Sequence, residues 1–273
     1  MKKTVFGAIA LLGALAFNPA SANETISAVG SSSVTPLMEY FAETYMKSHP
    51  NVFIEVQGPG SSAGIKAAKN ESADIGMSSR GLKASEKEPN LVEETIARDG
   101  IAVVVHPSNK VKGLTAEQIS EIYKGKISNW SQVGGENKPI VAITRDTASG
   151  TRGAFEEILE LKRQVNGITV SAISQRAQVA NGNGGLKTMV ASNPYAIGYI
   201  SLGSVDNSVH ALSVDGVEAN VANVKNDSYK VARPFLVLYK KGKPSAEAQK
   251  FLDWMLTHDA QAIVKQHGYI DIH

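Results

Sequence analysis

The chain has 273 residues, 28 basic and 26 acidic side chains and no cysteine, which excludes a disulfide framework, a thiol nucleophile and a cysteine-held metal together. Setting aside Lys2 and Lys3, which precede an apolar run at the N-terminus, leaves 26 basic against 26 acidic residues, so neither nucleic acid nor a polybasic membrane contact has an electrostatic footprint. About 250 residues beyond that run suit one large or two small domains with proper cores.

Residues 1–22 read as a secretory leader. Lys2 and Lys3 form its positive start, residues 5–17 its apolar stretch, and Ala20-Ser21-Ala22 a small-residue cleavage signal. The expected mature chain begins at Asn23 and is a free periplasmic protein, because no cysteine can carry a lipid anchor. No later stretch approaches the about 18 apolar residues of a membrane span.

Strands then alternate with helices. Residues 26–29 are β-type, and residues 36–48 place Leu37, Tyr40, Phe41, Thr44 and Tyr45 on one helical face, with Pro36 suited to the first turn. A strand is expected over 51–57, a helix over 62–70 and a strand over 73–78; the β-branched run 101–105 should be buried on both faces. After His106-Pro107 the pattern restarts: Thr115 caps a helix over 116–123, a strand covers 139–144, and a helix runs from Ser149 to about Leu161. The Gly/Asn loop 181–185 opens another helix before Pro194, and residues 196–200 look like a strand. Residues 235–239 form a last strand, and 245–265 one long amphipathic helix with Phe251, Leu252, Met255, Ala262 and Ile263 on its stripe. This tail is expected to return to the first domain. The alternation predicts an α/β fold with a largely parallel sheet in each domain, and such folds bind ligands beyond the carboxyl ends of their strands.

Three of the strand ends break into short Gly/Ser/Thr loops that enter helices: 30–36, 58–64 and 144–152. A helix start has unpaired N–H groups and the positive end of the macrodipole, and hydroxyls add donors without bulk, so each loop is an anion cradle. Three together imply a site that surrounds one small oxyanion. Arg145 can present a planar fork to two oxygens of such an anion.

The segments Val29-Gly30-Ser31-Ser32-Ser33, Gly60-Ser61-Ser62-Ala63-Gly64 and Ala73-Asp74-Ile75-Gly76-Met77-Ser78-Ser79-Arg80 carry a resemblance, joined in order by Tyr123-Lys124-Gly125-Lys126-Ile127-Ser128-Asn129-Trp130, Arg145-Asp146-Thr147-Ala148-Ser149-Gly150-Thr151 and Ala196-Ile197-Gly198-Tyr199-Ile200-Ser201. Colinear over nearly the whole mature chain, they resemble the PstS family, the phosphate-binding proteins of Pst-type ABC transporters. The resemblance implies a type II periplasmic binding fold: lobe I from residues 23–106 plus 230–273, lobe II from 107–229, and a ligand cleft at the hinge. It also implies a monomer that delivers inorganic phosphate to membrane permease subunits, with no cofactor and no metal. Phosphate contacts carry over to Ser33, the backbone of Val34, Ser61, Ser79, Arg145, Ser149, Gly150 and Thr151, with Ser32, Arg80 and Thr147 as further candidates. In family members a carboxylate stands where this chain has Ser79, and an aspartate where it has Thr147. Such a carboxylate accepts the proton of phosphate and repels sulfate, so here Asp146 or a hydroxyl would have to accept it, while Arg80 either adds positive charge or forms an inter-lobe salt bridge.

Structural readings compete for several of these residues. Ser31, Ser32 and Ser33 could be a helix cap, Arg145 could pair on the surface, Asp74 reads as a cap for backbone N–H groups, Asn129-Trp130 as packing beneath a turn, and the 182–185 loop as a helix entry as readily as a cleft wall. The six histidines have no zinc-site spacing. Glu156, Glu157 and Glu160 look like a solvated helix face, residues 58–66 lack phosphate-loop spacing, and no Gly-x-Ser-x-Gly elbow occurs. The reading that results is a binding protein rather than an enzyme. Its rivals are another tetrahedral oxyanion (sulfate, molybdate or tungstate) and a phosphatase-like hydrolase using an activated serine.

Overall fold

The computed structural model describes residues 24–273; the expected leader and its cleavage after Ala22 lie outside the described residues. The first part alternates strictly: β1 (Glu24–Gly30), α1 (Thr35–Ser48), β2 (Val52–Gln57), α2 (Ser61–Lys69) and β3 (Ile75–Ser78). β1 pairs in parallel with both β2 and β3, which requires crossovers, and α1 and α2 supply them. Helix α1 buries Leu37, Met38, Phe41, Ala42 and Tyr45 against this sheet. Asp74 fulfils the expected capping role: its Oδ2 accepts from both N–H and Oγ of Ser27 at 2.8 Å.

The longest strand, β4 (Leu91–Val105), joins the two halves of the molecule. Its first ten residues pair with β13 (Ala232–Lys240), and its last five pair with β10 (Ala196–Ser201). Sequence reading foresaw only residues 101–105, because Glu93, Glu94, Arg98 and Asp99 hide the apolar pattern upstream. Between β4 and β10 lie β5 (Gly113–Leu114), α3 (Ala116–Tyr123), β6 (Val141–Arg145), α4 (Gly150–Ile158), the hairpin of β7 (Lys162–Val165) and β8 (Ile168–Ser171), β9 (Gln178–Ala180) and α5 (Gly182–Ala191). Thr115 caps α3 as expected, its Oγ1 accepting from Gln118 N at 3.0 Å. Trp130 is buried and donates from Nε1 to Tyr195 O at 3.0 Å, which is the packing role. After β10 come β11 (His210–Ala211), β12 (Ser213–Val214) and α6 (Val221–Lys225), and after β13 come α7 (Ala246–Met255) and α8 (His258–Gln266).

The main sheet runs β2-β1-β3-β13-β4-β10-β6-β9. It is parallel at its two ends and antiparallel wherever β4 or β13 pairs with a neighbour, so the two strands that cross between halves break the expected parallel order. Pro234, which cannot donate to a ladder, lies before the stretch of β13 that β3 joins, next to a register shift at Phe235/Leu236. One further expectation needs correction. The helix expected over 245–265 is two helices, because Thr257 Oγ1 accepts from Ala260 N and starts a new one. Ile101, Val103 and Val105 pack in the second core with Tyr123, Phe155, Tyr199, Tyr229 and Val231. Ile96, Ala97, Phe235 and Val237 pack instead in the first core with α1, α7 and α8. The chain therefore passes from the first core to the second between Ala97 and Ile101 and back between Ala232 and Phe235. It makes a third passage at its end, where Tyr269 packs in the first core and Ile270 in the second.

Candidate functional site: a buried hydroxyl ring between two guanidinium groups

The carboxyl ends of β1 and β3 and the N-terminus of α2 meet, across the junction of the two cores, the carboxyl end of β6 and the N-termini of α4 and α5. Buried hydroxyls line this meeting point. Ser31 Oγ donates to Ser79 Oγ at 2.8 Å, Ser79 N donates to Ser61 Oγ at 3.1 Å, and Ser33 Oγ lies 2.9 Å from Thr151 Oγ1. Asn183 Nδ2 and Arg233 Nη2 both donate to Ser33 Oγ, at 2.9 and 3.1 Å. With its acceptor capacity so used, the hydrogen of Ser33 Oγ goes to Thr151. Ser33, Ser61, Ser79, Arg145, Thr151 and Arg233 are each no more than 3% exposed.

Arg145, at the end of β6, donates from Nη1 to Asn183 Oδ1 and from Nη2 to Ser32 Oγ, both at 3.1 Å, while its buried Nε has no partner. Burial lowers its pKa, and nearby Asp146 opposes that shift. Asp146 itself turns its Oδ1 to Ala148 N at 2.8 Å, so it closes its own loop. A buried guanidinium bonded only to neutral oxygens is costly unless something anionic completes it. The first-turn N–H groups of Gly150 and Thr151 add donors without intrahelical acceptors.

Gly150 packs directly against the first half. A Cβ there would sit 2.0 Å from Ser61 Oγ and 2.6 Å from Ser79 Oγ. The halves also share a backbone hydrogen bond, from Ser62 N to Ala148 O at 3.1 Å.

Of the residues expected from the sequence, Ser33, Ser61, Ser79, Arg145 and Thr151 form the ring, Ser32 touches Arg145, and Ser149 and Gly150 open α4 beside it. Val34 is a core residue whose N–H is bonded to Ser31 O at 3.0 Å. Thr147 is exposed and lines the open cleft beside the ring. Arg80 is turned away: Nη1 and Nη2 clamp Glu86 at 2.7 and 2.8 Å, so its charge is matched within its own half and bridges nothing across the junction. Sequence reading left the 181–185 loop open, and Asn183 proves to be part of the ring. It missed Arg233 and Asp99 altogether, although a charged residue at the edge of an apolar strand run, as each is, was the available signal. Their pairing closes from 134 residues apart, with Arg233 Nη2 donating to Asp99 Oδ2 at 2.9 Å.

The description of the PBP superfamily domain matches residues 17–259. The phosphate-binding protein PstS of Bacillus subtilis (strain 168) is 34% identical over 260 residues, covering 93% of this chain and 82% of that one. Among solved structures, a phosphate ABC transporter substrate-binding protein of Clostridium perfringens with bound phosphate superposes with a TM-score of 0.86 at 45% identity, covering 92% of this chain and 100% of the other. An ABC-type phosphate transport receptor from Vibrio cholerae gives a TM-score of 0.76 at 40% identity, covering 90% and 99%. With the two-core α/β architecture and the polar junction already in place, these likenesses settle the lineage: the chain belongs to the PstS family of phosphate-binding proteins, within the PBP superfamily.

Proposed function

We propose that this protein is a periplasmic, monomeric solute-binding protein that captures inorganic phosphate between two lobes and hands it to the permease subunits of an ABC transporter. We take lobe I as residues 24–100 with 233–273 and lobe II as residues 101–232, Ile270 packing on the lobe II core. The observation that carries this reading is Arg145, a buried cation whose fork meets only Ser32 and Asn183 and whose Nε is unpartnered. A tetrahedral anion taken up here would receive the Arg145 fork, the hydroxyls of Ser33, Ser61, Ser79 and Thr151, and the N–H groups at the start of α4. Hydrogen bonds to charged groups are worth roughly 1.5–3 kcal/mol each, so a few of them reach the about 8 kcal/mol of a micromolar complex after desolvation and closure. Because the donors come from both lobes, the ligand itself favours the closed form, which is the state a permease can read.

A second ligand, sulfate, has one observation in its favour: no carboxylate oxygen is hydrogen-bonded to the ring hydroxyls among the described residues. A hydrolase would need a base at a serine, and among the described residues no histidine or carboxylate is bonded to Ser33 or Ser149. Calorimetric titration of ligand-stripped protein with phosphate and then sulfate, at neutral pH in phosphate-free buffer, tests the proposal. One-to-one phosphate binding at micromolar affinity or tighter is expected, with no release of phosphate from a phosphomonoester. Preferred sulfate would overturn the ligand, and absence of binding to either would overturn the function.

A further inference from the structure

Arg233 lies at the start of β13 and faces Asp99 directly across the antiparallel pairing of β4 and β13, the two strands that cross between cores. Both side chains are 1% exposed. The contact is one-sided: Nε and Nη2 both donate to the single oxygen Oδ2, at 3.3 and 2.9 Å, while Asp99 Oδ1 has no partner. That geometry fixes one edge of the guanidinium and leaves the other aimed at the ring. There Nη1 reaches Ser79 Oγ at 3.3 Å and Nη2 reaches Ser33 Oγ at 3.1 Å. Ser33 is the same hydroxyl that Asn183 and Thr151 touch from lobe II. Arg233 therefore stands on the lobe I side of the ring and Arg145 on the lobe II side, two cations around one small polar centre with one carboxylate behind them.

Resting on the proposed oxyanion site, we propose that Arg233 is a second anion-binding guanidinium, aimed by Asp99, and that the two guanidinium groups together select the doubly charged form of a tetrahedral oxyanion. Two guanidinium groups with a single carboxylate between them leave the centre net positive, and a net positive centre attracts a dianion more strongly than a monoanion. With no carboxylate bonded to the ring hydroxyls, a ligand proton has no ionised acceptor there, so monohydrogen phosphate is held more tightly than dihydrogen phosphate. The titratable groups facing the two guanidinium groups are Asp99 on β4, Asp146 after β6, Tyr199 on β10 and Tyr269 in the C-terminal segment. Burial pushes both tyrosines up, Tyr199 to about 12, so neither ionises between pH 6 and 8.

The test is calorimetric titration of the ligand-stripped protein with phosphate and with sulfate, at about pH 6 and about pH 8. Only the competent fraction of phosphate binds tightly, so its affinity is expected to rise about tenfold over this interval. Sulfate is a dianion at both ends and stays level, which controls for titration of the protein's own groups. The double variant Arg233→Met/Asp99→Leu removes the buried pair together and so leaves no orphaned charge to unfold the chain. It is expected to retain its cooperative melt, lose at least about tenfold in phosphate affinity at pH 8, and lose most of the pH slope. Arg233→Lys is expected to keep the slope with an intermediate loss, because charge remains but the fork does not. Phosphate affinity that is flat with pH in the wild type overturns the dianion selection. Wild-type affinity in a folded double variant, with binding lost in Arg145→Ala, overturns the role of Arg233 alone. Failure of the wild type to bind either anion overturns this inference and the function it rests on.

Discussion

Two buried or nearly buried pairs of arginines lie within reach of the lobe junction, and they are built to opposite ends. Arg145 and Arg233 address the ring. Arg80 and Arg152 line an open cleft of about 670 Å³ beside it, together with Thr147, Ser149, Glu156 and Lys162. In the cleft each guanidinium is matched by a carboxylate of its own: Glu86 for Arg80, and Glu156 for Arg152 at 2.7 Å. In the ring Arg145 has none, and Arg233 shares a single oxygen of Asp99. Burial and charge are thus common to both regions, and what distinguishes them is where the donors not on carboxylate end: those of Arg145 and Arg233 reach Ser32, Ser33, Ser79 and Asn183 in the ring, those of Arg80 and Arg152 reach Gly81 O, Ser62 Oγ and Arg145 O outside it. Donors spent on the surrounding fold serve the fold; donors that converge on one polar centre are ready for a ligand.

The largest effect that would break this comparison comes from a wedge. Gly150→Val places side-chain atoms against Ser61 and Ser79 and props the lobes apart, so phosphate affinity should fall at least about a hundredfold, or about 2.7 kcal/mol, with little change in thermal stability. Titration calorimetry and a small-angle scattering profile that stays open with phosphate check this, and a closed, tight-binding variant would show that the junction is not the site. Arg145→Ala should cost at least about tenfold, or roughly 1.4 kcal/mol, again with the fold intact. Ser79→Asp sharpens the contrast by giving Arg233 a second carboxylate: sulfate binding should weaken more than phosphate binding, by about tenfold in a competition assay. Arg80→Met should behave in the opposite way, leaving anion affinity within about twofold and lowering stability by about 1–2 kcal/mol in denaturant melts. The smallest effect is in acid. Burial alone would raise Glu86, but Arg80 and the Lys83 N–H outweigh it and hold the carboxyl below its ordinary value. A carboxyl with a lowered folded-state pKa contributes stability that is complete above its ordinary pKa and is lost as pH falls through the lowered one. Stability should therefore decline below about pH 4, less steeply in Arg80→Met than in the wild type.

How much of this was legible in the chain follows from the range of each interaction. The strand, Gly/Ser loop and helix steps are local, so the three cradles and the Arg145 fork could be read from their own neighbours, while the choice of Ser33 and Ser61 within the cradles came from the family resemblance. Thr257 ends one helix and begins another by a contact spanning three residues, and it was overlooked only because the apolar stripe continues through it. Residues 91–100 were a different problem. In a strand paired on one edge by β13 and buried only at Ile96, Ala97, Asp99 and Gly100, Glu93, Glu94, Arg98 and Asp99 blur the hydrophobic signal without weakening the strand. Arg233 was illegible for a stronger reason: nothing near it in sequence indicates that its partners are Asp99, Ser33 and Ser79, at separations of 134, 200 and 154 residues. Those contacts exist only once the topology has brought β13 back to β4.

That return of β13 also governs the order in which the molecule can be assembled. The second core is built, Ile270 aside, from one continuous stretch, whereas the sheet of the first must wait for a strand that begins at Ala232 to insert between β3 and β4. Closing a loop of about 130 residues costs on the order of 4 kcal/mol in chain entropy before the new pairing offsets it. Until then β3 and the first ten residues of β4 present unpaired edges, open to any other extended chain. A chain cut short before Ala232 is left with that edge permanently. The last forty or so residues are therefore the part of this protein whose delayed arrival exposes it most to aggregation, and the part whose loss it is least able to survive.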